Sequence, residues 1–533
     1  MRLLLSTAAA LAIVAAAGGI AQAEYRLTIL HTNDFHSRIE PINKYDSTCS
    51  AEEATADACF GGSARLFTAI RAARESATNP ILVDGGDQFQ GSLFYNHYKG
   101  KAAAEMMNAI GYDAMTVGNH EFDDGPEVLR AFIEAVDFPI LLANADVSKE
   151  PELAETLKPW AVIERGGEKI GLVGVTPVNT AELSSPGPRI TFQEPVAALT
   201  EAVEALTDQG VDKIVVLSHS GYEADKRIAA AVPGIDVIVG GHSHTLLANN
   251  DDKASGPYPT MVKGPDGHDV PIVQAYAYGK YLGELVVTFD DAGVVTEASG
   301  TPLIMNGTIP QDSTLVARID ELAKPLEAIR TKVVARTAAP LDGAPQVCRI
   351  GECSMGNLVA DAMLDRVRDQ GASLAITNGG GLRASIDEGE VTMGEVLMVL
   401  PFQNTLSTFK LTGADIRAAL ENGVSQVEEG GGRFPQVSGL KFTWSMDAAP
   451  GSRIGTVEVM EEDAFVPLDP AKTYLVVSNN FLRGGGDGYS VFAEKGLEAY
   501  DYGPTLDDVV AAYLSRDSAQ YEPYTDGRIT LAE

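Results

Sequence analysis

The sequence predicts an α/β protein with more than one domain. Its 533 residues exceed the roughly 100–200 residues of one ordinary domain, and 45% hydrophobic with 21% charged residues is a globular composition. In the N-terminal half, short apolar runs repeatedly end in polar clusters, and segments with helical spacing lie between several of them. Continuous apolar runs are typical of strands in a sheet that is covered on both faces. We therefore expect a layered α/β domain with its functional residues at the carboxyl ends of strands.

Individual elements follow from the same patterns. The predicted strands of the N-terminal half lie at residues 27–30, 81–83, 114–117, 213–217 and 237–239, and predicted helices at 64–74, 102–110 and 196–207. Further along, apolar residues recur at helical spacing at Val316, Ile319, Leu322, Leu326 and Ile329. Asp312 can cap the start of this helix, which we expect to connect two domains over residues 311–336. Residues 337–533 mix helical and strand-like segments and form the expected second domain.

The pattern of residues 1–23 predicts a cleaved export signal. Arg2 precedes an apolar run, and Ala21-Gln22-Ala23 is typical of a signal-peptidase site. A retained membrane anchor is the alternative, but the apolar run is short for the ~20 residues of a membrane span. We therefore expect an exported chain, periplasmic or secreted, with no membrane span after signal cleavage.

Four cysteines agree with an oxidising compartment. Cys49 and Cys59 flank one short loop, and Cys348 and Cys353 flank another. Short loops in an exported chain favour the local disulfides Cys49–Cys59 and Cys348–Cys353. Zinc ligation is the alternative, but neither pair has the two-residue spacing of a zinc knuckle.

The formal charge of -34 argues against two classes of binding partner, nucleic acids and anionic membranes. Nucleic-acid backbones and anionic membrane surfaces repel a polyanion. We therefore expect a small-molecule partner, and an anionic substrate would need a local positive charge such as a metal ion. The sequence does not indicate whether the protein forms oligomers.

Five polar clusters at the ends of the predicted strands carry metal-binding residue types. They are Asp34-x-His36, Gly86-Asp87, Gly118-Asn119-His120-Glu121, His219 and Gly241-His242-x-His244. One such residue alone is more often a hydrogen-bonded turn residue, whereas five clusters together favour a metal site. Carboxylate, imidazole and amide ligands suit a borderline or hard divalent ion, and their number predicts two ions.

These clusters resemble the binuclear metallophosphoesterase superfamily. The sequences at residues 29–36, 87–92 and 118–123, with Asn378-Gly379-Gly380-Gly381-Leu382-Arg383, are similar to the secreted bacterial 5'-nucleotidase and UDP-sugar hydrolase family. The resemblance implies a four-layer α/β/β/α metallophosphoesterase catalytic domain over residues 24–310. It also implies a C-terminal α/β 5'-nucleotidase substrate-binding domain over residues 337–533, joined to the first by the helix.

The resemblance also implies roles for the cluster residues. Asp34, His36 and Asp87 would bind one metal ion, and Asp87 would bridge to a second ion held by Asn119, His219 and His242. His244 is left open as a further ligand, because position 244 varies among relatives. Two close cations neutralise phosphate oxygens and activate a bound water. Zinc is the expected metal, and Mn, Co or Mg also suit the ligand set.

The same resemblance assigns catalysis to His120 with Asp123. An imidazolium beside the phosphoryl group stabilises transition-state charge or protonates the leaving oxygen. Asp123 would orient that ring and keep it charged, and it also suits a helix N-cap.

In the C-terminal domain the resemblance implies a nucleoside clamp. Phe434 and Phe481 would stack on the base, Asp487 would bind ribose hydroxyls, and Arg349, Asn378 and Arg383 would contact phosphate or ribose. Without the resemblance, both phenylalanines suit a core and Arg383 suits a surface. Stacking on aromatic rings tolerates different bases and predicts a broad nucleotide range.

The expected function is metal-dependent hydrolysis of extracytoplasmic nucleotides, with nucleoside 5'-monophosphates as the first substrate class. UDP-sugars, nucleoside di- and triphosphates and 2',3'-cyclic nucleotides are the alternatives. Relatives that cleave cyclic substrates tend to carry Tyr at the stacking positions, where this chain has Phe. A nucleotide-binding surface protein without activity is the non-enzyme alternative, but every metal-binding and catalytic residue type is present.

Overall fold

The computed structural model of the chain describes residues 24–44, 46–461, 464–501, 503–516 and 520–532. The predicted export signal, residues 1–23, lies outside the described residues. Among the described helices, none is both long and apolar enough to cross a membrane.

Two six-stranded sheets form the N-terminal domain. Its strands are β1 Tyr25–Thr32, β2 Pro80–Asp84, β3 Ala114–Thr116, β4 Ile140–Leu141, β5 Ala145–Asp146, β6 Trp160–Arg165, β7 Glu168–Val175, β8 Thr191–Phe192, β9 Ile214–Ser218, β10 Val237–Val239, β11 Thr260–Lys263, β12 Asp269–Val273, β13 Tyr281–Phe289 and β14 Val295–Ile304. The first sheet has the order β14-β13-β1-β2-β3-β4, and the second has the order β11-β12-β10-β9-β7-β6. The remaining strands, β5 and β8, pair with each other in a small separate sheet. Strands β1 to β4 run parallel, as do β7, β9, β10 and β12.

Helices cover the outer faces of both sheets. The helices of this part of the chain are α1 Ala51–Thr55, α2 Ser63–Ser76, α3 Leu93–Tyr98, α4 Lys101–Ile110, α5 Pro126–Ala135, α6 Thr180–Leu183, α7 Pro195–Asp208, α8 Tyr222–Ala231, α9 Ser313–Ala323 and α10 Glu327–Arg330. Side chains of α2, α4 and α5 pack on the first sheet in one apolar cluster. Apolar residues of both sheets share a second cluster with α7 and α8. The four-layer α/β/β/α arrangement is thereby confirmed.

The connecting helix differs from its prediction. Asp312 caps α9 as expected, because its carboxylate accepts from the backbone N–H groups of Thr314 and Leu315. However, the helix is interrupted by a 3-10 turn at Lys324–Leu326 and ends with α10 at Arg330. The apolar side of α9 also packs into the core beneath the first sheet, so α9 belongs to the N-terminal domain.

The C-terminal domain is built around a five-stranded sheet and a four-stranded sheet. Its strands are β15 Val333–Thr337, β16 Leu374–Asn378, β17 Gly389–Thr392, β18 Leu406–Thr412, β19 Pro435–Ser438, β20 Leu440–Trp444, β21 Ile454–Glu461, β22 Ala464–Pro467, β23 Thr473–Asn479, β24 Leu497–Tyr500 and β25 Ile529–Leu531. Its helices are α11 Pro345–Cys348, α12 Ser354–Val367, α13 Met393–Val399, α14 Gly413–Gly423, α15 Asn480–Arg483, α16 Ser490–Lys495 and α17 Leu506–Leu514. The sheet orders are β19-β16-β23-β18-β24 and β22-β21-β20-β25.

The domains meet where the parallel strands of the N-terminal domain end. The Arg38 guanidinium, which follows β1, lies 2.7 Å from the Met398 sulfur in α13. Arg383, which follows β16, reaches His36 across the same boundary. The C-terminal domain therefore faces the polar clusters that the sequence singles out.

Both expected disulfides are present. Cys49 is bonded to Cys59 and Cys348 to Cys353, and the described chain has no free cysteine. The second bond closes the loop that carries Arg349 between α11 and α12.

Candidate active site

The five polar clusters converge at the carboxyl ends of strands from both sheets. Strands β1, β2 and β3 of the first sheet are followed by Asp34 and His36, by Asp87, and by Asn119. Strands β9 and β10 of the second sheet are followed by His219 and by the His242–His244 segment. Parallel strands bring their carboxyl ends to one edge, and the two stacked sheets bring two such edges together.

Two carboxylates lie at the centre of this convergence. Asp34 Oδ1 lies 3.3 Å from His244 Nε2 and 3.9 Å from His219 Nε2. Asp87 Oδ2 lies 3.0 Å from His219 Nε2 and 3.8 Å from His36 Nε2. Donor atoms of Asp34, His36 and His244 all lie within 4.8 Å of one another, and so do those of Asp34, Asp87 and His219. The chain thus offers two adjoining groups of ligands, which fits a binuclear site.

The imidazoles are oriented as metal ligands. His36 Nδ1 lies 3.0 Å from the Phe89 carbonyl, and His219 Nδ1 lies 2.6 Å from the Gly85 carbonyl. A carbonyl only accepts, so each Nδ1 carries a proton, and each Nε2 is directed at the carboxylates as the atom that would bind a cation. His219 Nε2 is buried and has no hydrogen-bond partner among the described residues. A buried set of imidazole nitrogens and carboxylate oxygens therefore fits divalent cations.

His244, which the sequence leaves open, joins the first group of ligands. Its Nε2 lies 3.2 Å from His36 Nε2, so both rings point to one place beside Asp34. Asn119 joins the opposite side, where its Oδ1 lies 2.9 Å from His242 Nδ1.

The backbone at this site is strained. Asp34, His36, Asp87, His242 and His244 all have φ between 50° and 70°, in the left-handed region. Non-glycine residues adopt this region at an energetic cost, and such residues cluster at functional sites. The strain turns these side chains out of the strand direction and towards one another.

Glu121 connects the loops that follow β2 and β3, a role that the sequence analysis did not identify. Its side chain is fully buried, and its carboxylate accepts from the backbone N–H groups of Gly118, Asp87, Gln88 and Phe89. One carboxylate therefore joins the loop after β2 to the loop after β3. The sequence signal for this role is a Glu that directly follows the Asn119-His120 pair and precedes an apolar residue.

His120 and Asp123 form the expected pair beside the carboxylates. His120 Nδ1 lies 2.7 Å from Asp123 Oδ2. Burial lowers the pKa of His120, but the nearby carboxylates of Asp123 and Asp87 outweigh burial and raise it above its ordinary value. The pair therefore favours an imidazolium that faces the cluster.

A cavity of about 930 Å³ opens over the cluster and extends into the C-terminal domain. From the N-terminal domain its lining includes Asp87, Asn119, His120, Asp123, His242 and His244, and from the C-terminal domain Arg349, Asn378, Arg383, Phe481 and Asp487. Arg383 Nη2 lies 2.8 Å from His36 Nε2, and Asn378 Nδ2 donates to Asp487 Oδ2 at 2.7 Å. Burial, followed by repulsion from Arg383, lowers the pKa of Arg349 to about 10. Two cationic side chains thus face the carboxylate and imidazole cluster across one cavity.

Comparison with known proteins agrees with this arrangement. The family model for calcineurin-like phosphoesterases matches residues 27–246, and the model for the 5'-nucleotidase C-terminal domain matches residues 333–494. The chain is 40% identical over 532 residues to a 5'-nucleotidase of Diplobatis ommata, which covers 96% of this chain and 91% of that protein. It is 39% identical over 530 residues to the 5'-nucleotidase of Homo sapiens, with coverage of 95% and 91%.

The chain belongs to the 5'-nucleotidase family. The crystal structure of a 5'-nucleotidase precursor from Thermus thermophilus matches with a TM-score of 0.91 at 42% identity, covering 95% of this chain and 99% of that one. Membership of this family, together with the phosphoesterase domain, makes the protein a hydrolase of the metallophosphoesterase type.

One residue carried over from the 5'-nucleotidase family is not brought to the cavity. Phe434 is fully buried and packs edge to face on Trp444, with 5.6 Å between ring centroids. Arg433 lines the cavity, and the next residue turns its side chain to the opposite side as β19 begins. The expectation that Phe434 stacks on a base is therefore wrong for this structure, and Phe434 is a core residue.

A different aromatic ring reaches the cavity from the C-terminal domain. Phe402 stacks on His120 with 5.3 Å between ring centroids, and the Arg383 guanidinium lies 5.6 Å from the Phe402 centroid. Sequence reasoning missed Phe402, because a Phe after an apolar helix is indistinguishable from a core residue. Phe481 does line the cavity, as expected.

Removal of divalent ions is expected to lower the stability of the protein. Asp34 and Asp87 are 0% and 2% exposed, and bound cations would compensate their buried charges. A ligand at about 100 times its Kd stabilises the native state by about 2.7 kcal/mol. We therefore expect the melting temperature to fall after chelation and to rise again with Zn²⁺, Mn²⁺ or Co²⁺.

The Asp87→Asn variant should lose most of this metal-induced rise. His268→Asn is the matched control, because His268 is exposed and lies outside the cluster. An equal rise in both variants would show that the ions bind elsewhere.

Proposed function

We propose that this protein is an exported, metal-dependent 5'-nucleotidase that hydrolyses nucleoside 5'-monophosphates to nucleoside and phosphate. One observation carries the proposal: a single cavity is lined by carboxylates and imidazoles on one side and by Arg349, Arg383, Phe481 and Asp487 on the other. The first set suits a phosphate ester at a metal centre. The second set suits a phosphate, an aromatic base and a ribose.

In this proposal Asp34, His36, Asp87 and His244 would hold one metal ion, and Asp87, Asn119, His219 and His242 would hold the other. Such ions, when bound, neutralise phosphate oxygens and lower the pKa of a coordinated water. Asp87 serves both sites because its carboxylate lies close to His219 and to His36. Zinc is the proposed metal, since the imidazoles of the cluster suit a borderline ion.

His120 acts on the reacting phosphate from the side of the metal cluster. Its Nδ1 proton is held by Asp123, so Nε2 is the atom that faces substrate. As an imidazolium it donates to a phosphoryl oxygen or to the leaving ribose oxygen, where negative charge develops. Phe402 covers the face of the ring and keeps water from it.

The C-terminal domain orients the nucleotide. Arg349 and Arg383 offer planar guanidinium groups suited to phosphate oxygens. The Asp487 carboxylate, held by Asn378, offers an acceptor to ribose hydroxyls. Phe481 offers one face to the base, and binding to π-faces tolerates different bases.

The proposal includes the domain organisation and the location of the protein. Residues 24–310 together with α9 form the catalytic domain, the rest of residues 311–336 forms the connection, and residues 337–533 form the substrate-binding domain, with cleavage after Ala23. The two disulfides support export to an oxidising compartment.

Phosphate release from AMP tests the proposal. Metal-stripped protein is assayed with AMP, a UDP-sugar, ATP and a 2',3'-cyclic nucleotide, with single divalent ions added back. We expect release from AMP to return with a divalent ion and kcat/KM to be highest for AMP. His120→Ala should lower kcat by about 10²–10⁴-fold while nucleotide binding is retained. The control variant His268→Ala should leave kcat unchanged.

Two outcomes would contradict this expectation. Absence of turnover with every ion would favour a nucleotide-binding protein without activity. Turnover of the UDP-sugar or the cyclic nucleotide alone would retain the metal site and overturn the substrate assignment.

The two phenylalanines make a second, paired prediction. Phe481→Leu should raise KM for AMP about fivefold or more, because stacking contributes about 1–3 kcal/mol per base. Phe434→Leu should leave KM unchanged and lower the free energy of unfolding by about 1 kcal/mol, because it changes only core packing. Steady-state kinetics and urea denaturation of both variants measure the two effects. A raised KM in Phe434→Leu would contradict this prediction and show that Phe434 contributes to nucleotide binding.

A further inference from the structure

Asp123 has two partners, and only one of them belongs to the expected catalytic pair. Its Oδ2 bonds to His120 Nδ1 at 2.7 Å, and its Oδ1 accepts from the Ser184 hydroxyl at 2.6 Å. Each oxygen of one carboxylate is therefore fixed by a different donor. The terminal torsion of an Asp side chain is broad, so one hydrogen bond alone leaves the carboxylate plane free to turn.

The hydroxyl comes from the other half of the N-terminal domain. His120 and Asp123 follow β3 of the first sheet, whereas Ser184 follows β7 of the second sheet and the short helix α6. The Thr180 hydroxyl and backbone N–H both bond to the Pro177 carbonyl and hold the start of α6. Ser184 has an extended backbone and is half-buried. The contact thus ties the catalytic loop of one sheet to a loop of the other.

The same loop lies next to the C-terminal domain. Helix α6 contacts the turn Gly486–Gly488, which contains the proposed ribose-binding Asp487. Ser184 also lines the cavity beside Asp123. Its position therefore links the orientation of the His120–Asp123 pair to the region where the two domains meet over substrate.

We propose that Ser184 is a positioning residue for the reaction. Its hydroxyl holds the Asp123 carboxylate in the plane that directs the His120 ring towards the phosphate. The hydroxyl is neutral, so it restrains the carboxylate without removing the charge that supports the imidazolium. The inference rests on the proposed function, because Ser184 acts only through His120. A residue that orients the partner of a catalytic imidazole is the general logic of such triads.

Steady-state kinetics of Ser184→Ala with AMP tests the inference. We expect kcat to fall about tenfold or more, as for other orienting partners of catalytic groups, and KM to stay within about twofold because Ser184 does not hold the nucleotide. Ser184→Thr keeps the hydroxyl, suits the extended backbone and should restore most of kcat. In an Asp123→Asn background, Ser184→Ala should have little further effect, because residues that act as a unit are not additive.

Thr412→Ala is the matched control. The Thr412 hydroxyl also donates to a carboxylate, that of Asp415 at 2.5 Å, but it lies at the N-cap of α14 in the C-terminal domain. Its loss should lower the melting temperature and leave kcat unchanged. Melting temperatures of all variants separate a folding defect from loss of positioning.

The outcomes distinguish this inference from the proposed function. A parent protein without turnover of AMP would overturn both. An active parent with an unchanged Ser184→Ala would overturn the role of Ser184 alone. An equal loss of kcat with and without Asp123→Asn would assign Ser184 a structural role, and a raised KM with normal kcat would assign it to substrate contact.

Discussion

Two buried carboxylates, Asp34 and Asp87, impose the main constraint on this structure. Both have almost no exposure to water, and a buried charge is costly unless it is paired. Burial by itself raises the pKa of Asp87, but the imidazoles around it, His219 and His120 foremost, hold that pKa well below its usual range. Two anionic groups kept ionised side by side create a site for cations. The layered fold serves this site, because it brings the carboxyl ends of strands from two sheets to one place.

Stabilising this arrangement requires features that an ordinary α/β core lacks. The candidate metal ligands take left-handed backbone angles, and a single Glu121 carboxylate accepts from four backbone N–H groups of the adjacent loops. Gly118 is required there, since a Cβ at this position would lie 2.2 Å from Asp87 Oδ1. Residues with no contact to substrate thus determine where the ligands point. Such support is needed because a reactive geometry is sensitive to shifts of about 1 Å.

Sequence patterns predicted the elements that depend on local chemistry. Buried parallel strands produce continuous apolar runs. The bounds predicted for the five N-terminal strands, and the polar clusters that follow them, therefore agree with the structure to within a few residues. Phe434 was misassigned because a shift of one residue decides whether a side chain faces the cavity, as Arg433 does, or the core, and a short motif does not fix which residue faces the cavity. The connection was predicted as one helix because Ile329 continues the apolar spacing, yet it is 47% exposed beyond the 3-10 turn. Phe402 and Ser184 contact partners that are distant in sequence, which local patterns do not indicate.

In the proposed function, these carboxylates and imidazoles hold two metal ions beneath a nucleotide-binding cavity. Anomalous diffraction from crystals grown with Zn²⁺ and a non-hydrolysable AMP analogue tests it directly. We expect two anomalous peaks that share Asp87, with zinc-to-nitrogen distances of about 2.0–2.1 Å to the histidines. The phosphate of the analogue should lie between these peaks and the side chains of Arg349 and Arg383. No peak at Asp34 and Asp87, or a phosphate bound away from them, would contradict it.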